Sequence, residues 1–193
     1  MRAQDAIDRL GLIHDQLARA EVYPGFRPPA VALVGALGLL AAAAQPFVPV
    51  GFVAYWLGVA GVGGVIGFAS AARSYAHEED DLERRRTRRV MAQFLPCLLA
   101  GAAVTVGVAR ADATHLLPGL WAVAFGLGVV AARPHLPAAV WFVGAGYVAA
   151  GAALLATADA TAGPSGWAVG CVFGVGHLAT AVALRGRREE CHD

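Results

Sequence analysis

The sequence predicts an all-α membrane protein, a polytopic bundle of six transmembrane helices preceded by an amphipathic helix. Of the 193 residues, 58% are hydrophobic and 15% are charged, whereas a soluble domain is usually about 45–50% apolar and about 25% charged. The basic residues, all of them Arg, lie between the apolar segments. The apolar residues form six uncharged segments, at approximately residues 29–46, 51–72, 90–109, 114–132, 136–157 and 166–184.

Residues 1–28 form the first predicted unit, a cytoplasmic amphipathic helix with its linker. The helix itself is expected over residues 3–20, with the charged residues away from its apolar face. We expect it to lie on the membrane surface or on the cytoplasmic loops. The apolar positions recur at the spacing of one helical face: Ile7, Leu10, His14 and Leu17.

Residues 29–184 form the predicted transmembrane unit. About 20 helical residues cross a hydrocarbon core of roughly 30 Å, and every segment except the first approaches this length comfortably. The first segment is short because Pro46 and Pro49 limit its extension. No segment contains Arg, Asp or Glu. A single central Arg or Asp would cost about 2.5–3.5 kcal/mol and offset most of the insertion energy of a segment.

The Arg residues predict that both termini are cytoplasmic. With that orientation, every Arg except Arg110 lies on the cytoplasmic side, which is a strong positive-inside pattern. The six segments then form three helical hairpins that each run in–out–in. The absence of Lys, together with abundant Ala, Gly and Val, indicates a GC-rich bacterial genome. The predicted location is therefore the inner membrane of a bacterium.

The cytoplasmic loop at residues 73–89 is the most polar stretch of the transmembrane unit, and residues 185–193 form the tail. The acidic run after His77 is compatible with a divalent-cation site, but a solvated helical extension is the favoured interpretation. The basic run is the candidate contact for anionic lipid, at about 1 kcal/mol per Arg near the surface. The alternative is that these residues only set the topology. They are Arg84, Arg85, Arg86, Arg88 and Arg89.

Glycine residues spaced four apart predict close helix packing on two segments. Gly166, Gly170 and Gly174 lie on the sixth segment, and Gly63 and Gly67 lie on the second. Such small residues let helix backbones approach closely in lipid. Packing within the bundle is the favoured interpretation, and a homodimer face is the alternative.

His177 defines the candidate intramembrane polar site. It follows Gly174 by three residues and lies about 10 Å from the inner end of its helix by helical rise. An ionisable group at that depth is a functional hypothesis by default. We expect Tyr147 to face His177, and a transporter would add Thr105 to the same polar cavity. The alternative is a neutral, structural imidazole with one hydrogen-bonded partner.

The sequence predicts no catalytic, cofactor-binding or metal-binding residue. Gly126 and Gly128 match a dinucleotide fingerprint in form, but they lie in an apolar segment with no preceding strand. A haem needs two facing axial ligands, whereas His115 lies near the outer surface and His177 lies in the inner half. The formal net charge of +1 gives no case for nucleic acid.

Four short segments, at residues 17–23, 29–35, 117–121 and 173–178, carry a resemblance to known proteins. Together they resemble small six-helix inner-membrane proteins of bacteria that are themselves uncharacterised. The resemblance spans most of the chain. It implies the six-helix fold, but no activity and no catalytic residue.

The sequence favours a non-enzymatic membrane component that acts as a sensor, accessory or partner-binding subunit. The outer loops are short, so the cytoplasmic face is the sizeable surface for partners. The first alternative is a transporter or channel for a small neutral or weakly polar molecule. The second is an enzyme that modifies lipid, which would need His77 grouped with carboxylates beside a lipid-accessible groove. The expected partners are the bilayer, anionic lipid, and either a second copy of the chain or another membrane protein.

Overall fold

The computed structural model describes residues 27–77, 81–132 and 138–189, and within these ranges all regular structure is helical. Each long helix, with its adjoining 3-10 turn where present, contains a stretch long and apolar enough to cross a membrane. The predicted all-α class is confirmed, with six helices long and apolar enough to span a membrane, whereas the amphipathic helix expected at residues 3–20 lies outside the described residues. The helices are α1 (Pro28–Ala44), α2 (Phe52–His77), α3 (Asp81–Arg110), α4 (Leu117–Ala131), α5 (Ala138–Ala156) and α6 (Gly166–Glu189).

Proline residues set both ends of α1. Pro28 and Pro29 occupy its first turn, where the missing N–H groups have no intrahelical partner. At the other end a 3-10 turn over Gln45–Phe47 follows the helix, and Pro46 within that turn cannot continue an α-helical ladder. The α-helical part of the first span has 17 residues, but with the 3-10 turn the span reaches 20 residues, Pro28–Phe47, and is not the shortest of the six, so the expectation of a short first span is wrong.

The charged segment at residues 73–89 is helical on both sides of residues 78–80, which lie outside the described residues. α2 continues to His77, and α3 begins at Asp81. Both helices therefore extend beyond their apolar segments into polar sequence. Arg and Glu favour helix, so the helical backbone does not stop where the apolar segment stops.

α1 and α6 are joined by glycine contacts, which we call the α1–α6 seam. A Cβ atom on Gly35 would lie 2.9 Å from the carbonyl oxygen of Gly174, and one on Gly170 would lie 2.8 Å from that of Gly38. Positions along α1 pair with α6 positions in reverse order, so the two helices are antiparallel. No side chain fits between the backbones at these positions.

α4 and α5 form a second glycine-based contact, the α4–α5 seam. A Cβ atom on Gly126 would lie 2.8 Å from the carbonyl oxygen of Gly144. One on Gly151 would lie 2.7 Å from the carbonyl oxygen of Gly119. The order is again reversed, so these two helices are antiparallel as well.

α2 and α3 lie at the periphery of the bundle. α2 packs on α1, with Gly63 close to Val34, and α3 packs on α4, with Phe94 and Cys97 close to Gly128. Only 6% of the apolar span of each is buried, against 22–33% in the other four helices. Most of the surface of these two apolar spans is therefore left for lipid or for another protein.

Because neighbouring helices are antiparallel, one end of the bundle collects most of the described Arg residues. We call it the basic end, and the residues are Arg27, Arg73, Arg88, Arg89 and Arg185. Both carboxylates whose side chains the structure describes, Asp112 and Asp159, lie at the opposite end. The charge of the described surface is thus strongly polarised along the bundle axis.

The loop between α5 and α6 lies at the end of the bundle opposite the basic end, and local hydrogen bonds stabilise it. Asp159 accepts bonds from the Thr161 hydroxyl at 2.7 Å and from the Thr161 backbone N–H at 2.8 Å. These bonds hold the pKa of the Asp159 carboxyl below its usual range, because they favour the charged form. Gly163 follows with a φ of +69°, a conformation that glycine adopts without steric cost.

Candidate functional site

Tyr147 of α5 and His177 of α6 meet inside the bundle. The Tyr147 hydroxyl oxygen lies 2.9 Å from His177 Nδ1 and donates to the Phe173 carbonyl oxygen at 3.2 Å. The same Nδ1 lies 2.7 Å from the Phe173 carbonyl oxygen. The expected proximity of Tyr147 and His177 is found, and a backbone carbonyl completes the group.

The carbonyl oxygen of Phe173 selects the tautomer of His177. A carbonyl oxygen only accepts, so an unprotonated Nδ1 would direct its lone pair at another lone pair at 2.7 Å. In the neutral imidazole the proton therefore lies on Nδ1, and Nε2 carries the free lone pair. Nε2 has no hydrogen-bond partner among the residues that the structure describes.

Gly176 makes room for the Tyr147 ring. A Cβ atom at Gly176 would overlap the Cζ and hydroxyl atoms of Tyr147. The ring therefore lies against the bare backbone of α6, and its side chain is 2% exposed. Sequence reasoning missed this role of Gly176, although its position directly before His177 was a usable signal.

Phe125 of α4 links the site to three other helices. Its ring centroid lies 4.9 Å from that of Tyr147, 5.4 Å from Phe173 and 5.2 Å from His177. Phe94 of α3 packs edge-on against Phe125 at 5.2 Å. We call these five residues the aromatic cluster. Sequence reasoning missed Phe94, Phe125 and Phe173, because phenylalanine in an apolar segment carries no distinguishing pattern.

The structure does not bring Thr105 to His177, which differs from the expected grouping. The Thr105 hydroxyl donates to the Gly101 carbonyl oxygen at 2.7 Å and accepts from Trp121 Nε1 at 2.7 Å. The Trp121 ring stacks on Phe52 at 6.0 Å. Thr105 lies near the end of α3 that is away from the basic end, so it makes its hydrogen bonds locally, with residues of α3 and α4.

The two predicted glycine faces have different surroundings. Gly170 and Gly174 are covered by α1, and Gly166 contacts the side chain of Gln45. This face is occupied within the chain and leaves no room for a homodimer contact. On α2, Gly63 packs on α1, whereas a Cβ atom on Gly67 would have no neighbour within 4 Å.

The charged segment is described only in part. Arg88 and Arg89 are exposed, whereas the side chains of Arg84, Arg85 and Arg86 lie outside the description. So does the side chain of His77, which the lipid-enzyme alternative requires. Among the described residues, no group of three or more His, Cys, Asp or Glu side chains is placed to hold a metal ion.

Comparisons with known proteins gave no match. No family model matches the sequence, no curated protein matches it, and no solved structure matches the fold. The chain has the six apolar helices of a multi-pass membrane protein, and no relative supplies an activity for it.

The tautomer of His177 gives a testable prediction. In ¹⁵N NMR of histidine-labelled protein in lipid, we expect the His177 signals of a neutral ring protonated at Nδ1. Tyr147→Phe should leave this tautomer unchanged, because the Phe173 carbonyl oxygen still accepts the proton, and should lower stability by about 0.6–1 kcal/mol. A switch to the Nε2-protonated form in this variant would contradict the assignment.

Proposed function

We propose that this chain is a non-enzymatic membrane subunit that self-associates through α2, in the role of a sensor or accessory component. Its proposed location is the bacterial inner membrane, with both termini in the cytoplasm. The orientation is supported by the Arg residues that gather at the basic end. The self-association is supported by the shape of the exposed face of α2.

The exposed face of α2 has a gap between two large side chains, which we call the α2 notch. Leu57, Gly61, Gly64 and Phe68 follow one another at intervals of four, three and four residues, so they share one face. Cβ atoms on Gly61 and Gly64 would meet nothing within 4 Å. Leu57 is 50% exposed and Phe68 is 70% exposed. The notch therefore admits the backbone of another helix at close range.

A second copy of the chain fits the α2 notch by symmetry. All copies share one orientation in a membrane, so a twofold axis along the membrane normal places each residue opposite its own counterpart. Gly61 would then meet Gly61, and Gly64 would meet Gly64, at equal depth. Without side chains between them, the two backbones gain dispersion contacts, which drive helix association in lipid.

The transporter alternative has less support. It expects a polar cavity lined jointly by Tyr147, Thr105 and His177, and the hydrogen bonds of Thr105 are made elsewhere. For the basic run at residues 84–89, contact with anionic lipid stays a proposal, supported by the exposure of Arg88 and Arg89.

Filling the α2 notch is expected to weaken self-association. Gly61→Ile places a branched side chain between the two backbones, and we expect the dimer dissociation constant to rise at least about tenfold, which corresponds to about 1.4 kcal/mol. The measurement is single-molecule photobleaching of the labelled chain in liposomes over a range of protein-to-lipid ratios.

The matched control is Gly146→Ile on α5. Gly146 is also an exposed helical glycine whose Cβ atom would meet nothing within 4 Å, but it lies outside the notch. The control should dimerise as the unmodified chain does. If the unmodified chain is monomeric at every lipid ratio, or if both variants behave alike, the proposed function is contradicted.

A further inference from the structure

Arg27 directly precedes α1, and it lies at the same level as Arg185 on α6, the helix in close contact with α1. Gly38 and Gly174 face each other in the α1–α6 seam, where a Cβ atom on Gly38 would lie 3.5 Å from Gly174 N. Arg27 precedes Gly38 by eleven residues, and Arg185 follows Gly174 by eleven. Eleven residues are close to three turns, or about 16 Å. The backbones of Arg27, which directly precedes α1, and of Arg185 on α6 therefore lie on the seam side at equal depth.

Among the side chains that the structure describes, no negatively charged group lies near Arg27 or Arg185. Both side chains are exposed, and neither has an ion-pair partner among residues 27–77, 81–132 and 138–189. The two carboxylates described there lie at the opposite end of the bundle. Like charges at the same level of neighbouring helices repel each other, so an anion between them would be stabilising.

The level of the pair matches that of lipid headgroups. The apolar span of α1 begins at Pro28, directly after Arg27, and that of α6 ends at Arg185. Both residues therefore stand at the end of an apolar span, where the hydrocarbon of a bilayer is expected to give way to the polar interface. This is where the phosphate groups of a bilayer lie.

We propose that Arg27 and Arg185 together form a binding site for one phosphate group, carried by an anionic lipid. Guanidinium groups match the geometry of phosphate oxygens and form charge-assisted hydrogen bonds to them. The site differs from the basic run at residues 84–89, because its two members come from the first and last helices and depend on the α1–α6 seam. It is independent of association through α2.

The test measures binding of phosphatidylglycerol to the full chain, purified in detergent, by native mass spectrometry. Arg27→Gln combined with Arg185→Gln should remove one tightly retained lipid per chain. At about 1 kcal/mol per Arg, the dissociation constant should rise about fivefold for each single variant and about 30-fold for the double variant. Unchanged melting temperatures show that the variants remain folded.

The matched control is Arg110→Gln, which removes one exposed positive charge at the opposite end of the bundle. It should leave the dissociation constant of the tightly retained lipid unchanged, whereas Arg27→Gln and Arg185→Gln each raise it. Equal weakening by the control and by the two single variants would overturn the proposal, since it would show general attraction to positive charge. If an equimolar amount of inorganic phosphate displaced the lipid, the ligand of the site would be free phosphate and not a lipid headgroup. That result would overturn the proposal.

Discussion

Gly151→Val is expected to prevent the bundle from assembling stably. Gly151 lies in the α4–α5 seam, where a Cβ atom would meet the Gly119 carbonyl oxygen at 2.7 Å and the Val123 backbone nitrogen at 2.8 Å. Both neighbours are backbone atoms, so no rotamer change relieves the overlap and the helices must separate. Overpacking usually costs about 1–3 kcal/mol, and we expect a loss at the upper end, about 3 kcal/mol. Reversible unfolding of the purified protein measures it.

Gly146→Val is the matched control on the same helix. Its Cβ atom would meet nothing within 4 Å, so the same chemical change at this exposed position should shift stability by less than about 0.5 kcal/mol. Equal destabilisation by both variants would show that valine harms α5 through helix propensity. The close contact in the α4–α5 seam would then not explain the effect.

The seams show what the sequence specifies about helix pairing. The ridge formed by Gly166, Gly170 and Gly174 predicts close packing, and the structure has it. Its partner on α1, which includes Gly38, could not be named, because contact between the first and last helices is not encoded in any local pattern. The sequence shows that a helix has a flat face, but it does not show which helix covers that face.

The α4–α5 seam escaped prediction for a different reason. Gly119 and Gly126 are seven residues apart, as are Gly144 and Gly151. Seven residues are close to two turns, so each pair shares a helix face. A search restricted to glycines four residues apart does not find them. The same physical rule, applied at two turns instead of one, identifies this seam from the sequence.

The depth of each residue in the bundle explains why Tyr147 contacts His177 as expected and why Thr105 does not join them. His177 lies eight residues before Arg185 at the basic end, whereas Thr105 lies five residues before Arg110 at the opposite end. Thr105 and His177 therefore belong to different halves of the bundle, and counting residues from each end separates them. Tyr147 is at the depth of His177 on the adjacent antiparallel helix, which is why that contact could be predicted.

Phe125→Ala is expected to have the other large effect, because Phe125 lies at the centre of the aromatic cluster. Its ring contacts Phe94, Tyr147, Phe173 and His177, so the three other helices α3, α5 and α6 lose a shared neighbour. Removal of a phenylalanine ring from a packed interior typically costs about 3–5 kcal/mol, since neighbouring atoms lose dispersion contacts and relax only partly. We expect a loss of about 3 kcal/mol in reversible unfolding.

Phe142→Ala on α5 separates this packing effect from the loss of a hydrophobic side chain. Phe142 is 70% exposed, and its described ring contact is with the adjacent Trp141. Lipid chains replace its contacts in both the folded and the separated helices, so the variant should unfold like the unmodified chain. The His177 ¹⁵N signals should shift with Phe125→Ala and stay in place with Phe142→Ala. If Phe125→Ala changed neither stability nor these signals, the cluster would not hold the four helices together, and His177 would not depend on it for its position.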